Sequence, residues 1–329
     1  MKLQQLRSFV TAYQERSFTA AARRLNATQS GLSMQVKDLE TSLGVRLFER
    51  STTGVRPTVA GEMLYGHART ILRQISEAGN ELAALAGEVT GTVDAGLMPT
   101  ITRGALAPAV IEFTAQYAHV RLRLVEAYSA TLTEMVASEQ LDFAIVPPHP
   151  GRSAVTARAL AHDREFLVTG PRFGRAHMAP VRLGEVRPLK LILPTPANAR
   201  RAGLDAYLAG IGVVPDAILE MDAMMGTLEL VGASDWMAIL PATLCYPDLG
   251  GNPLRVHPLI DPEPGVDYAL IEPATRTLSP AAQLFAAAVE RQMRRIADEW
   301  DKRLGAIAAP GEDRRREPAS RTTSAQEAT

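Results

Sequence analysis

The chain has 329 residues, of which 46% are hydrophobic and 22% are charged, so it is long enough for two or three globular domains and too apolar to be fibrous or largely disordered. A single cysteine, Cys245, excludes an internal disulfide, and no apolar run approaches the roughly 20 residues that span a bilayer, so we expect a cytoplasmic protein without a membrane partner. The net charge of −1 is distributed unevenly along the chain. Residues 1–62 carry nine basic and five acidic side chains, a net charge of +4, so the rest of the chain has a net charge of −5. This asymmetry favours a polyanion partner for the basic part.

The first 43 residues predict three helices. Apolar residues recur at helical spacing in a first helix that ends near Arg16, and Ser17 can cap a second helix from Phe18 to Leu25. A third helix is predicted from about Gln29 to Leu43. Its expected buried stripe consists of Leu32, Val36, Leu39 and Leu43. This order is typical of a helix-turn-helix, whose second helix enters the major groove of DNA, although a three-helix interaction module is an alternative that the spacing leaves open.

The residues after the third helix predict a winged form of this domain. Gly44 ends the helix, and residues 49–57 have the pattern of two short strands joined by a turn. Such a wing offers Arg50 and Arg56 to phosphates.

Six segments of this region match one family in order and spacing. They are AARRL at 21–25, TQS at 28–30, LS at 32–33, LE at 39–40, LGVRLFER at 43–50 and TVAG at 58–61. Together they resemble the LysR-type transcriptional regulators. Two departures stand out: Met34 replaces a basic residue that many members carry, and Glu139 stands where a glycine commonly precedes Leu-Asp.

The resemblance implies that double-stranded DNA is a partner, contacted on bases and nearby phosphates by the third helix and on the backbone by the wing. The residues expected to bind DNA are Thr28, Gln29, Ser30, Ser33, Gln35, Lys37, Arg50, Thr53 and Arg56. For each of them a solvated surface position is the alternative.

A long helical pattern follows from Thr58, a candidate N-cap, to about residue 86. Its apolar residues form a heptad seam made of Leu64, Ala68, Ile71, Ile75, Ala78, Leu82 and Leu85. Because the other faces are polar, so narrow a stripe predicts a partner helix and a homodimer or homotetramer. Packing of the helix on its own domain is the alternative.

Beyond Gly91 strands alternate with helices, which predicts an α/β fold with parallel sheets. The expected strands are 91–97, 120–125, 141–146, 165–169, 189–194, 217–221, 237–240 and 267–272, and the expected helices include 202–208, 227–232 and 279–304. Since the chain leaves the first lobe and later returns to it, this order resembles the two-lobed, periplasmic-binding-protein-like effector domain of the family.

The chain is therefore expected to be α/β overall, with four parts. Residues 1–58 form the winged helix-turn-helix, residues 59–89 the linker and dimerisation helix, and residues 90–304 the effector domain. Lobe I comprises about 90–162 and 267–304, lobe II comprises about 163–266, and residues 305–329 have the composition of a disordered tail.

Polar residues that follow the predicted strand ends indicate an effector site between the lobes. The residues expected there are Thr100, Thr102, Ser129, Thr131, Pro147, Thr195 and Asn198. Free amides at helix entrances favour a carboxylate or another anion, and Arg200 and Arg201 either add positive charge or are solvated. Helix capping by these side chains and an apolar effector are the alternatives. Trp236 is expected to cover the core rather than face the cleft.

The sequence contains no motif for catalysis or for a cofactor. Nucleophile elbows, phosphate loops and HExxH patterns are missing, and the six histidines lack metal-ligand spacing. The expected function is sequence-specific transcriptional regulation controlled by a small effector, with RNA polymerase as a further candidate partner and the nucleoid as the location when DNA is bound. A DNA-binding architectural protein and a cytoplasmic small-molecule-binding protein are the alternatives.

Overall fold

A computed structural model describes residues 1–51, 54–85, 88–148, 154–251 and 253–308. Its N-terminal part confirms three helices, α1 (Leu3–Glu15), α2 (Phe18–Arg24) and α3 (Gln29–Leu43). Each of the last two begins at a hydroxyl cap, because the Ser17 side chain accepts from Ala20 N at 3.2 Å and the Thr28 side chain accepts from Gly31 N at 3.2 Å.

The stripe on α3 packs against the other two helices, with one exception. Leu32, Val36 and Leu39 are almost fully buried, but Leu43 is 39% exposed, so its assignment to the core is wrong. The reason is local: Gly44 takes a left-handed conformation directly after Leu43 and turns the chain away, leaving the last residue of the helix beyond the core.

A two-stranded antiparallel wing follows, formed by β1 (Phe48–Ser51) and β2 (Gly54–Pro57). The wing is attached to α3, because the Glu40 carboxylate accepts hydrogen bonds from Leu47 N at 2.8 Å and Phe48 N at 3.2 Å. Thr53 lies outside the described residues.

The linker helix α4 runs over Val59–Leu85, and its predicted cap is confirmed. The Thr58 hydroxyl accepts from Gly61 N at 3.1 Å and donates to the Arg46 carbonyl at 2.7 Å, which joins the start of α4 to the domain before it.

The predicted heptad seam divides into two parts. Ala68 is fully buried in the core of the N-terminal domain, and Leu64 and Ile71 pack against the same core. The first half of the seam therefore packs against the chain's own N-terminal domain, as the alternative prediction had it. In the second half Ile75 is 46% exposed and Leu82 is 68% exposed. Ala78 and Leu85 are exposed beside them.

The elements of lobe I in chain order are β3 (Gly91–Leu97), α5 (Pro99–Ile101), a π-helical turn (Thr102–Leu106), α6 (Ala107–Gln116), β4 (Val120–Glu126), α7 (Ser129–Ala137) and β5 (Phe143–Val146). Its three strands are parallel and lie in the order β4, β3, β5. All four residues of β5 are buried, as expected for a central parallel strand covered on both faces.

Two long antiparallel strands then connect the lobes. They are β6 (Val155–Thr169) and β11 (Gly265–Pro273), paired from Gly265 opposite Arg164 to Pro273 opposite Val155. The first half of β6 pairs with β11 in lobe I, and its second half continues into lobe II beside the strand Met237–Pro241. The sequence predicted only residues 165–169 of this strand, because residues 155–164 alternate small and charged side chains without a continuous apolar face.

The elements of lobe II are β7 (Lys190–Leu193), α8 (Ala199–Gly210), β8 (Ala217–Glu220), α9 (Met224–Ala233), β9 (Met237–Pro241), α10 (Ala242–Cys245) and β10 (Arg255–Pro258). They include the second group of parallel strands, in the order β9, β7, β8. The sequence missed β10, a four-residue strand that pairs antiparallel with β6.

The last helix, α11 (Pro280–Ala308), returns to lobe I and extends past the predicted end at residue 304. Ser279 caps it as expected, accepting from Ala282 N at 3.3 Å. Trp300 lies against Phe166 with ring centroids 4.6 Å apart, and its indole donates to the Ala242 carbonyl at 2.9 Å. The final helix therefore packs on β6, the strand that both lobes share.

Candidate DNA interface and inter-lobe site

The start of α3 is the exposed end of the N-terminal domain. Thr28, Gln29 and Ser30 are all exposed there. The Thr28 hydroxyl is used as the cap and also accepts from the Ser30 hydroxyl at 3.4 Å, whereas the Gln29 side chain makes no hydrogen bond to any other described residue. This turn fixes the backbone and leaves a long amide side chain available at the surface.

Other residues predicted on this face have different surroundings. The half-buried Gln35 accepts a hydrogen bond from the Ser8 hydroxyl at 2.6 Å, so it holds α3 against α1. Ser33 is half-buried, and Lys37 and Arg56 are exposed. Arg50 lies on β1 opposite Val55 of β2.

Glu139 joins the linker helix to lobe I. Its backbone has a φ of 55°, in the region that favours glycine, which agrees with the family's usual residue there. The carboxylate accepts hydrogen bonds from Thr70 at 3.1 Å, from Thr275 at 2.8 Å and from Arg73. Burial raises the pKa of Glu139, but the hydrogen bonds from Thr275 and Arg73 outweigh it and hold the pKa below its ordinary value.

A second arginine extends this junction. Arg276 donates to Glu77 of the linker helix at 3.2 Å and to Asp142 of lobe I at 2.7 Å, and its side chain is only 10% exposed. We name the set of Thr70, Arg73, Glu77, Glu139, Asp142, Thr275 and Arg276 the linker junction. Sequence reasoning missed it because its members are up to about 200 positions apart.

The cleft between the lobes has a narrow inner part. Thr100 and Tyr128 of lobe I line it together with Asn198, Arg200 and Asp222 of lobe II. Its enclosed volume of about 20 Å³ has room for about one water. An outer part of about 730 Å³ opens beside it. The structure thus brings together four of the predicted effector residues, Thr100, Thr102, Thr131 and Asn198.

The remaining predicted residues have other positions. Ser129 bridges the two lobes, because its hydroxyl accepts from Ala199 N, the first amide of α8, at 3.3 Å. Pro147 is buried directly after β5 and does not belong to either part of the cleft. Thr195 lies behind Asp222, to which it donates through its hydroxyl.

The hydroxyl groups that were expected to bind an anion already donate hydrogen bonds to carboxylates of the chain itself. Asp222 accepts from the Thr195 hydroxyl and from Asn198 Nδ2 at 3.1 Å, and Glu126 accepts from the Thr102 hydroxyl. Both carboxylates line the outer part of the cleft. Arg103 lines it too, but its guanidinium is paired with Asp248, to which it donates at 3.0 Å, so the charges of the described lining disfavour an anion.

Arg200 is buried, contrary to the expectation that it faces solvent or an anion. Its side chain is 3% exposed, pairs with the 4% exposed Glu165 and donates to the Ile239 carbonyl at 3.0 Å. Arg201 is bound to Asp205 at 2.9 Å and to Glu220 at 2.6 Å. Neither guanidinium is therefore available as an unpaired charge for the effector.

Further buried polar groups lie where β6 and β11 pass between the lobes. Thr100 accepts a hydrogen bond from the Tyr268 hydroxyl at 2.9 Å, and burial raises the pKa of Tyr268 far above its ordinary value. Asp163 accepts from Thr243 N at 3.2 Å, and burial raises the pKa of this carboxyl to about 7. Trp236 is half-buried against the core and, as expected, does not line the cleft.

The described residues contain no group of three or more histidine, cysteine or acidic side chains placed to hold a metal ion. Among the same residues, no helix has the length and apolar character needed to span a bilayer.

Two protein-family models match the chain. The one described as a bacterial regulatory helix-turn-helix protein of the lysR family matches residues 3–62, and the one described as a LysR substrate binding domain matches residues 86–294. Together these matches cover both the N-terminal domain and the two lobes.

Curated relatives resemble the chain over most of its length. It is 29% identical over 285 residues to the nitrogen assimilation regulatory protein nac of Escherichia coli (strain K12), which covers 86% of this chain and 92% of that protein. It is 28% identical over 300 residues to the HTH-type transcriptional regulator GbpR of Azospirillum brasilense, with 88% and 86% covered.

Solved structures show the same fold. A full-length OxyR variant from Pseudomonas aeruginosa superimposes with a TM-score of 0.65 at 22% identity, covering 89% of this chain and 95% of that one. Full-length CbnR complexed with its target DNA gives a TM-score of 0.54 at 20% identity, covering 89% and 100%.

Proposed function

The chain belongs to the LysR family of bacterial transcriptional regulators, and we propose that it reads its operator as a dimer through α3 and the wing, under the control of a small molecule bound between its lobes. The observation that carries this proposal is the continuous connection from an exposed, capped α3 through α4 and the linker junction to a two-lobed cleft. Homotetramer formation, contact with RNA polymerase and a cytoplasmic location on the nucleoid are proposals that follow from the same role.

DNA recognition is divided between two kinds of contact. We assign base reading to Gln29 and Ser30, because both are exposed at the N-terminus of α3, the end that a recognition helix directs at base edges. Lys37, Arg50, Thr53 and Arg56 are assigned to phosphates. Thr28, Ser33 and Gln35 complete the proposed surface, with Thr28 and Gln35 also fixing the pose of α3.

Replacing Gln29 by Ala is expected to reduce affinity for the operator by about 1 to 3 kcal/mol while leaving random DNA almost unaffected, because a base contact carries the sequence information. Arg56→Ala is expected to weaken both DNAs alike and to reduce the slope of log affinity against log salt by about 0.9, since a phosphate contact releases counterions. Gel-shift titrations on operator and random fragments at several salt concentrations measure both.

Gln116→Ala is the matched control, because Gln116 is an exposed glutamine in lobe I. It should change neither affinity nor salt slope. Equal losses on operator and random DNA for Gln29→Ala would remove Gln29 from the base-reading set.

The effector is assigned to the inter-lobe cleft, and the described charges favour an effector with a positively charged or hydrogen-bond-donating group. Asp222 and Glu126 present carboxylates to the cleft, and the positive charge of Arg200 is already paired with Glu165. Met98, Met221 and Met224 supply the apolar wall. A carboxylate effector is the alternative, and it would have to displace Asp222 from Thr195 and Asn198.

The inner part of the cleft has room for about one water, so an effector that reaches Thr100 and Asn198 there is expected to require separation of the lobes. One inter-lobe contact at the cleft that would be released is the hydrogen bond from Ala199 N to the Ser129 hydroxyl.

Asp222→Asn is expected to weaken the binding of amine effectors about tenfold or more, because a hydrogen bond to a charged group contributes about 1.5–3 kcal/mol. Calorimetry against matched amines, amides and carboxylic acids measures the change. Asp298→Asn removes an exposed carboxylate of α11 and should have no effect. Binding of acids by the native protein, strengthened by Asp222→Asn, would favour the anion alternative instead.

A further inference from the structure

A second cavity lies at the far end of lobe II. It has a volume of about 320 Å³ and is bounded by Thr169 at the end of β6, Pro188 before β7 and Met237 at the start of β9. The inter-lobe cleft touches the opposite ends of the same two parallel strands, at Leu193 of β7 and Leu240 of β9. The thickness of lobe II therefore separates this distal pocket from the proposed effector site.

Three arginines line the distal pocket with no carboxylate of the described residues within ion-pair distance. Arg172, Arg175 and Arg187 form no ion pair with any described residue. Arg187 donates to the Val186 carbonyl at 2.6 Å, and Arg175 makes only a long contact of 3.5 Å to the Pro180 carbonyl. Arg182, Arg200 and Arg201 of the same lobe are each paired with acidic side chains.

The acidic residues of the distal pocket do not cancel this charge. Asp235 is bound to Lys190 at 2.7 Å, outside the pocket lining, and Glu185 lies 3.8 Å from Arg182. Glu185 shares Arg182 with Asp261, and Arg172 adds to the effect of Lys190 in lowering the pKa of Asp235. Excess positive charge still remains, because the three arginines, Lys190 and Arg182 are five cations and Asp235, Glu185 and Asp261 are three carboxylates.

Two aromatic rings complete the lining. Phe173 is half-buried and held edge-on against His257, with centroids 5.2 Å apart. Trp236 is half-buried, its backbone N–H donates to the Ser234 hydroxyl at 3.2 Å, and its indole N–H has no partner among the described residues. A flat apolar surface with a free donor thus lies beside the guanidinium groups.

We infer that the distal pocket binds a small anion that carries an aromatic ring. The ring would lie against Trp236 and Phe173, and the anionic group would accept hydrogen bonds from Arg172, Arg175 and Arg187, whose forked donors match carboxylate, sulfonate and phosphate oxygens. A volume of about 320 Å³ is at the lower end of the range for small-molecule sites, which fits a ligand of one or two rings. The inference does not depend on the assignment of the effector to the inter-lobe cleft.

The test is isothermal calorimetry of the full chain with three matched probes. Naphthalene-2-sulfonate has ring and charge, naphthalene-2-sulfonamide has the ring without the charge, and methanesulfonate has the charge without the ring. We expect saturable binding of the first, about tenfold or more tighter than either of the others, since ring and charge each contribute.

Variants locate the binding. Arg175→Gln and Trp236→Leu are each expected to weaken naphthalene-2-sulfonate about fivefold or more. Arg121→Gln removes an exposed arginine of lobe I and Thr100→Val alters the inter-lobe cleft, so both should leave its affinity unchanged. Arg175→Gln is expected to fold, because the side chain is held only by its 3.5 Å contact and the backbone carbonyl that accepts from Arg255 is retained.

A fluorescence titration gives an independent readout. The chain has two tryptophans, and Trp300 is 1% exposed in the core, so saturable quenching must come from Trp236 and must disappear in Trp236→Leu. The inference is wrong if the sulfonamide binds as tightly as the sulfonate, if Thr100→Val removes the binding, or if no saturable binding is found at millimolar concentration.

Discussion

Replacing Ile75 and Leu82 together by Asp is expected to convert the dimer to monomers and to lower operator affinity about a hundredfold or more, because one reader has half of the phosphate and base contacts. The two side chains are 46% and 68% exposed on one stripe of α4, beside Ala78 and Leu85. Burying such a side chain in a partner helix stabilises the pair by about 1.5–3 kcal/mol, and a carboxylate in its place opposes association.

Sedimentation measures the dimer, and gel shifts at fixed salt measure the operator complex. Val214→Asp is the matched control, because Val214 is 79% exposed on lobe II. Intact dimers in the double variant would reject this stripe as the interface. Ile71 is unsuitable for the test, since it packs on the core of its own domain and its replacement would destabilise the reader itself.

Glu165→Gln is expected to destabilise the chain by about 3–5 kcal/mol, because it leaves the Arg200 guanidinium charged and unpaired inside lobe II. Arg200→Met should cost a similar amount by stranding the Glu165 carboxylate. The double variant Glu165→Leu with Arg200→Met should recover much of the loss, since apolar residues of similar volume often replace a buried pair without penalty. Urea unfolding followed by circular dichroism measures all three.

Arg201→Met is the control for this loss of stability, because it breaks a more exposed set of ion pairs at the next position. Its partners Asp205 and Glu220 are 53% and 46% exposed, so the loss should not exceed about 1 kcal/mol. If Glu165→Gln costs no more than Arg201→Met, the Arg200–Glu165 pair does not have the structural role assigned here.

Local signals predicted the elements well. The bounds of α3 agree with the sequence prediction because a hydroxyl cap at Thr28 and a glycine at position 44 terminate the helix within a few residues. The strand β5 was found because it is a continuous apolar run between turns, and β3 was found although Asp94 interrupts its small and apolar residues. The wing was found from its turn residues between Arg50 and Arg56.

Longer-range arrangements could not be predicted in the same way. A heptad pattern indicates that one face of α4 is apolar, but it does not indicate what covers that face. Ala68 is buried in the chain's own core, whereas Leu82 on the same face is exposed. Thr195 and Asp222 are 27 positions apart, so the sequence showed a hydroxyl at a strand end without the carboxylate that occupies it. The three distal-pocket arginines likewise meet two aromatic rings only after the chain has folded.

The linker junction determines which lobe is held fixed relative to the DNA-reading domain. Thr70, Arg73 and Glu77 attach α4 to lobe I, and the same helix packs against the DNA-reading domain through Ala68. The DNA-reading domain, α4 and lobe I are therefore connected as one unit, in which α4 alone is about 40 Å long, given its 27 residues at about 1.5 Å each. In the proposed mechanism, closing or opening of the cleft therefore moves lobe II relative to this unit, while α4 keeps its contacts with both the DNA-reading domain and lobe I.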